Sequence, residues 1–203
     1  MIDVIIPYNF HASRERGREI VEKSLRSKGF NIVYGHSKIW NKPLAILDGF
    51  KKSHSEVIII HDADILCSLE DIEPIKGKLI IPFNKLFKMR ENNTIERVKR
   101  YKDSAGGIWI MYREDFIKSK GPDPRFTHGL EDRAFCYQFE TLVGEVVLLN
   151  KNAIHIYHEK NTNKLANYDL YIRYLDARGD KEKMEALIAE RDFIFGEMAT
   201  TCD

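Results

Sequence analysis

Asp62 and Asp64 flank a single alanine directly after the apolar run Glu56–Ile60 (EVIII). In an extended backbone residues two apart face the same way, so both carboxylates would address one site. Two carboxylates at the end of a buried strand suit a hard divalent cation and the diphosphate it neutralises. The same residues also fit a solvated strand-to-loop turn in which an aspartate caps the next element. Far downstream, His155 and His158 lie in AIHIYH, and imidazole is the side chain that most often completes a transition-metal site. Three residues apart, the two rings fall on opposite faces of a strand but on one side of a turn. If both bind one ion, the chain must leave the extended state between them; the alternative is a hydrogen-bonded structural histidine.

Two further segments offer chemistry. Gly129-Leu130-Glu131-Asp132 follows the turn-rich PDPRF of 122–126 and opens a helix expected to run through Phe139. Acids in the first turn of a helix are favoured by its dipole; a carboxylate there can equally be a general base at the mouth of a cleft. Ser104-Ala105-Gly106-Gly107 precedes a strand. Paired glycines at such a point let a backbone approach a ligand closely, or simply form a turn or bulge.

The elements that must position these residues begin with Ile2–Tyr8 (IDVIIPY), a β-branched run ending at a proline. A helix over Arg14–Lys28 is expected to stop at Gly29, followed by a strand over Phe30–Tyr34 and a helix over Lys42–Lys52 with Pro43 in its first turn. Glu56–Ile60 is the third strand. Strand, helix, strand, helix, strand predicts parallel βαβ units with helices on both faces, and such sheets collect ligands at the carboxyl ends of their strands. Both Pro7-Tyr8 and Asp62–Asp64 stand at such ends. Further strands are expected over Lys78–Phe83, after the glycine pair within Ser104–Tyr112, and over Glu145–Leu149 and Ala153–Tyr157. Glu91–Lys102 reads as a polar loop or helix, and the pattern from Leu165 to Met198 is helical with a break near Gly179-Asp180.

A chain of 203 residues fits one domain with a substantial core. Its net charge of +1, with charges well mixed, weighs against a nucleic-acid partner bound by neutralising many phosphates. Three cysteines without CxxC spacing read as reduced thiols. No signal-peptide pattern opens the chain and no apolar run reaches membrane-spanning length, so a cytoplasmic protein without a membrane span is expected.

In order and spacing, the pieces resemble GT-A glycosyltransferases, in particular the inverting galactosyltransferase and chondroitin-polymerase-like branch related to family 2. The resemblance covers roughly residues 2–161. It rests on IDVIIPY, on Trp40-Asn41-Lys42 with the helix through Gly49, and on His61-Asp62-Ala63-Asp64-Ile65 as a D-x-D motif. Gly106-Gly107, Gly129-x-Glu131-Asp132 and a histidine near 155–158 then follow in the family's order. The resemblance implies an α/β GT-A fold with a mixed, mostly parallel sheet, a catalytic domain over 1–164 and a helical extension over 165–203. It implies that Asp64 ligates Mn²⁺ or Mg²⁺, that Asp62 contacts metal or donor, and that His155 or His158 completes the coordination. Asp132 would be the base that deprotonates the acceptor, with Glu131 holding acceptor or sugar. Pro7, Tyr8, Lys42 and Arg14 or Arg16 would lie against the nucleotide-sugar donor, expected to be a UDP-sugar, and Gly106-Gly107 would line the sugar pocket. The acceptor would be a glycan or other hydroxyl.

Departures are Gly35-His36-Ser37, where the family often places an acid to read the base, and His128, where an aromatic commonly precedes G-x-E-D. The tail would pack over the sheet or self-associate into a homo-oligomer. Rival readings are a sugar-phosphate nucleotidyltransferase, disfavoured by the single glycine in Asn9–Gly17, a non-catalytic nucleotide-sugar or carbohydrate-binding module, and a metallohydrolase.

Overall fold

A computed structural model describes residues 2–98, 105–127, 129–159 and 167–191. Along the chain run β1 (Asp3–Pro7), α1 (Ala12–Arg26), β2 (Asn31–Gly35), α2 (Lys42–Lys52), β3 (Val57–His61), β4 (Ile65–Cys67) and β5 (Leu79–Ile81). The hairpin β6 (Lys85–Met89) and β7 (Ile95–Val98) follows, then β8 (Ile108–Tyr112), α3 (Arg113–Lys118) and α4 (Glu131–Leu142). The described chain continues through β9 (Val146–Leu148), β10 (Asn152–His155), α5 (Tyr168–Asp176) and α6 (Lys181–Ala189).

The main sheet has the order β2-β1-β3-β8-β5-β9. β1 runs parallel to both β2 and β3, β8 runs antiparallel to its neighbours β3 and β5, and β9 is parallel to β5. The sheet is therefore mixed, with the expected βαβ units on one side and an inserted antiparallel strand on the other. Every residue of β1 is buried, as its unbroken apolar run requires of a strand covered on both faces. On α1 the buried pair Val21 and Leu25 lies one turn apart facing the sheet, and Gly29 at φ +78° ends the segment. Asn41 caps α2 by accepting from the Leu44 N–H, with Pro43 in the first turn where its missing donor costs nothing.

A second sheet, β4-β10-β6-β7, lies outside the sequence expectations. Its hairpin falls on KLFKM and IERV, whose charged residues mask the alternation of a strand. Residues 95–98 are thus strand rather than the expected loop or helix, and 99–102 lie outside the described residues. The pairing that matters most is β10 with β4, antiparallel, which sets His155 opposite Ile65.

Two apolar clusters form the interior. The larger lies about the main sheet and includes Trp109, Phe116, Phe135 and Phe139. The smaller joins Phe126 and the Ala134 and Tyr137 positions of α4 to Tyr171, Tyr174, Met184 and Leu187 of α5 and α6. Within the expected tail of Leu165–Met198, helices form over 168–176 and 181–189, with Gly179 at φ +80° and Asp180 capping α6 at the expected break; 165, 166 and 192–198 lie outside the described residues. The two helices pack on α4, however, and not over the sheet, because α4 turns Ala134 and Tyr137 outward to meet them. Among the described residues no helix is long and apolar enough to cross a membrane.

Helix α2 approaches β1 and β2 at backbone contact. A Cβ on Gly35 would stand 1.8 Å from the Ala45 carbonyl oxygen, and one on Gly49 would stand 2.4 Å from Ile5 Cγ2. That closeness fixes α2 against β1 and the end of β2. Gly35→Ala must separate helix from sheet, and its expected cost is about 3 kcal/mol of stability. Denaturant unfolding checks this; a variant as stable as the parent contradicts the packing.

Candidate active site

A cleft of about 750 Å³ opens along the carboxyl ends of β1 and β3. Its lining gathers Pro7 and Tyr8 from the end of β1, Arg14 from α1, Trp40 and Lys42 from the start of α2, and Asp62–Asp64. The opposite wall is Phe126, Thr127, Gly129 and Leu130 leading into Glu131 and Asp132, with His155 and His158 closing one end. Residues as far apart in sequence as Pro7 and His158 meet there because the parallel strands end at one edge and β10 returns beside β4.

At the closed end, Asp64 Oδ2 lies 3.0 Å from His158 Nε2 and 4.0 Å from His155 Nε2. One potential ligand atom from each of these three residues falls within 4.8 Å of the others. The chain leaves the extended state after His155, as shared binding requires: Ile156 N–H donates to the Asp64 carbonyl at 2.8 Å, and the two rings stand 5.0 Å apart. His158 Nδ1–H donates to the Glu159 carbonyl at 2.7 Å, which leaves Nε2 facing Asp64. Burial opposes ionisation of Asp64, yet the His158 hydrogen bond and the charges of His155 and Arg14 hold its carboxyl down to about 2. Burial pushes His155 below the usual imidazole value in spite of Asp64, whereas the Asp64 hydrogen bond lifts His158 above it.

Asp62 faces elsewhere. Ala63 and Asp64 form a turn between β3 and β4, so the two carboxylates diverge where an extended D-x-D would have aligned them. Asp62 Oδ1 lies 2.8 Å from Lys42 Nζ, and the same ammonium lies 2.9 Å from Asp132 Oδ1. Burial acts against the charge on Lys42, but Asp132, Asp62 and Glu131 outweigh it and raise the lysine well above its ordinary value. Burial lifts Asp132 above the usual carboxylate range; Asp62 adds to the lift and Lys42 opposes it. Burial likewise lifts Asp62 against the pull of Lys42, with Asp64 and Glu131 adding to the lift.

Gly106 and Gly107 are not part of the cleft lining. They stand behind it: a Cβ at Gly106 would come within 2.3 Å of Asp132 Oδ2, and one at Gly107 within 2.9 Å of Phe83. The close approach permitted at Gly106 is that of the Asp132 carboxylate, and at Gly107 that of the Phe83 ring. Gly107 also accepts the Asp62 N–H at 2.8 Å, tying the turn to the strand that follows the glycines. Arg16 points away, donating to Asn93 at the β6–β7 tip. Gly35 is buried under α2, and His36 is engaged by the Tyr8 carbonyl and Asp48, outside the lining; His128 and Ser104 lie outside the described residues. Sequence reasoning missed Phe126 and Asn41. Asn41 caps α2 and also donates to the Pro124 carbonyl at 2.8 Å, holding the far wall to the helix that carries Lys42. An asparagine at an N-cap was a visible signal; its second bond was not.

No protein-family model and no curated protein matches the chain. Solved structures do. The catalytic domain of Drosophila beta1,4-galactosyltransferase 7 in complex with xylobiose superimposes with a TM-score of 0.62 at 18% identity, over 80% of this chain and 76% of that one. A mutant of the same enzyme, in complex with manganese, UDP-Gal and xylobiose, gives 0.58 at 18% identity, over 100% and 80%. The chain has a GT-A glycosyltransferase fold. S. aureus TarS 1–349 in complex with UDP-GlcNAc agrees, with a TM-score of 0.58 at 10% identity over 97% of this chain and 69% of that one. A GT-A sheet accounts for the cleft lying at the ends of β1 and β3.

The Asp64–His158 pair has a pH signature in the metal-free protein. His158, raised by folding, contributes stability at low pH that is lost as pH rises through its folded value. Asp64, depressed, contributes stability that is lost only as pH falls towards about 2. Imidazole NMR is expected to show His158 titrating above His155, with Asp64→Asn lowering His158. Coincident titrations contradict this arrangement.

Proposed function

We propose that the protein is a metal-dependent inverting glycosyltransferase that transfers a hexosyl or N-acetylhexosaminyl group from a nucleotide-diphosphate sugar, with UDP the favoured nucleotide, to an acceptor hydroxyl. The observation that carries this reading is the placement of the Asp64–His155–His158 cluster and the Asp132 carboxylate in one cleft, with Lys42 between Asp132 and Asp62. The Drosophila neighbour bound manganese, UDP-Gal and xylobiose, and TarS bound UDP-GlcNAc, which supports donor class and a carbohydrate acceptor.

The residues fit a divalent ion. Asp64, His155 and His158 would hold it, with Asp62 close by. Two imidazoles favour Mn²⁺ over Mg²⁺, which prefers an all-oxygen shell. When bound, the ion would neutralise the diphosphate and stabilise the charge that develops on the leaving group. Arg14, on the same side of the cleft, adds fixed positive charge, and Pro7 and Tyr8 offer a flat wall for the nucleotide. Asp132 takes the acceptor proton onto its carboxylate. Its raised affinity for protons, set by burial and Asp62, makes it a stronger base than an exposed aspartate. Lys42 holds that carboxylate in place, and Glu131 beside it is suited to bind hydroxyls of acceptor or sugar. Attack by the activated hydroxyl opposite the leaving diphosphate inverts the sugar carbon.

Two measurements test this. A panel of nucleotide sugars with Mn²⁺ or Mg²⁺ is expected to raise the melting temperature most with a UDP-sugar and Mn²⁺, and Asp64→Ala should abolish the effect. A donor that stabilises parent and variant equally argues against a metal at Asp64. Asp132→Asn is expected to lower transfer by about 10³-fold while sparing donor binding. Transfer that survives this change removes Asp132 as the base.

A further inference from the structure

The cleft wall formed by Phe126, Thr127, Gly129 and Leu130 does not belong to the core that supports the sheet. Phe126 is buried, and its ring packs 5.6 Å from that of Tyr174, inside the cluster that α5 and α6 make with α4. Hydrogen bonds follow the same division. Asn167, at the N-cap of α5, accepts from Thr127 N–H at 3.4 Å and donates to the Gly129 carbonyl at 3.2 Å. Tyr174 Oη donates to the buried Asp123 at 2.7 Å, and Asp123 pairs with Arg125, which in turn reaches the Leu187 carbonyl of α6 at 2.8 Å. Apart from the Asp123–Arg125 pair, each of these bonds joins the segment just before Glu131 to the tail; on the other flank it is held by Asn41.

The donor half of the cleft is built differently. Pro7, Tyr8 and Arg14 rest on the main sheet and α1, Asp64 also meets β10 and His158, and none of their described contacts reaches α5 or α6. We infer that the tail helices are the support of the acceptor half of the cleft alone, with Asn167 and Tyr174 as positioning residues that set the wall leading into Asp132. The word acceptor rests on the glycosyltransferase reading; the support of the wall does not. Leu130 sharpens the need for such support. It is a non-glycine residue held at φ +69° immediately before the helix that carries Asp132, a conformation that persists only where its surroundings enforce it.

The test compares Asn167→Ala and Tyr174→Phe with the parent protein; the second keeps the ring in its cluster and removes only the hydroxyl. Amide hydrogen exchange is expected to speed about tenfold at Thr127 in Asn167→Ala, whose N–H loses its acceptor, and to stay unchanged in β1 and β3. In transfer assays the acceptor KM should rise about tenfold in both variants, while the donor KM stays within about twofold. Unchanged exchange at the wall in the folded variants overturns the inference, as does a parallel rise of donor and acceptor constants. If no nucleotide sugar binds the parent, the glycosyltransferase reading fails, and the exchange data still decide whether the tail holds the wall.

Discussion

One ammonium group organises the cleft. Lys42 is the first residue of α2, and its Nζ stands between the Asp62 and Asp132 carboxylates, which arrive from β3 and α4. Five carboxylates (Asp62, Asp64, Glu131, Asp132 and Glu159) line this space against Lys42 and Arg14. So many acids in a partly buried cleft repel one another, and Lys42 is what lets two of them stand near each other. The close packing of α2 on β1 and β2 through Gly35 and Gly49 is what holds that cation in its place.

The imbalance left after Lys42 is satisfied has a direction. Asp62 and Asp132 share a single positive charge, and Asp64 leans on His158. A protonated imidazole next to a carboxylate is an arrangement that a divalent ion can replace, by displacing the proton and using the same nitrogen. The geometry thus separates two tasks that a D-x-D spacing seemed to merge. Asp64 faces the histidines, whereas Asp62 faces the lysine and, through it, the group proposed as base.

Much of this was legible in the sequence, for physical reasons. The strand–helix alternation of residues 2–61 is written in uninterrupted apolar runs and an N-cap followed by proline, and α2 appears at its expected bounds. The histidines carried their own constraint, since two rings three residues apart meet only where a strand ends, and β10 does end at His155. The orientation of Asp62 was not legible, because it depends on a turn at Ala63-Asp64 and on a lysine twenty residues away in the chain. The glycine pair was legible as a site of close approach but not as to what approaches. The second sheet was hidden because β6 is half-buried and both β6 and β7 carry charged residues, and a hairpin of that kind declares itself only through its partner strand.

That second sheet also decides when the Asp64–His155–His158 cluster, proposed to hold the ion, comes together. Asp64 and the two histidines are neighbours because β4 and β10 pair antiparallel and Ile156 bonds back to the Asp64 carbonyl. These contacts join segments about ninety residues apart, the sort of non-local pairing that forms late and slowly in folding. An unfolded or half-folded chain therefore carries these three residues without the cluster. A cation that fits it would bind only the completed fold, adding to stability by mass action and reporting, through its own occupancy, that the chain had closed.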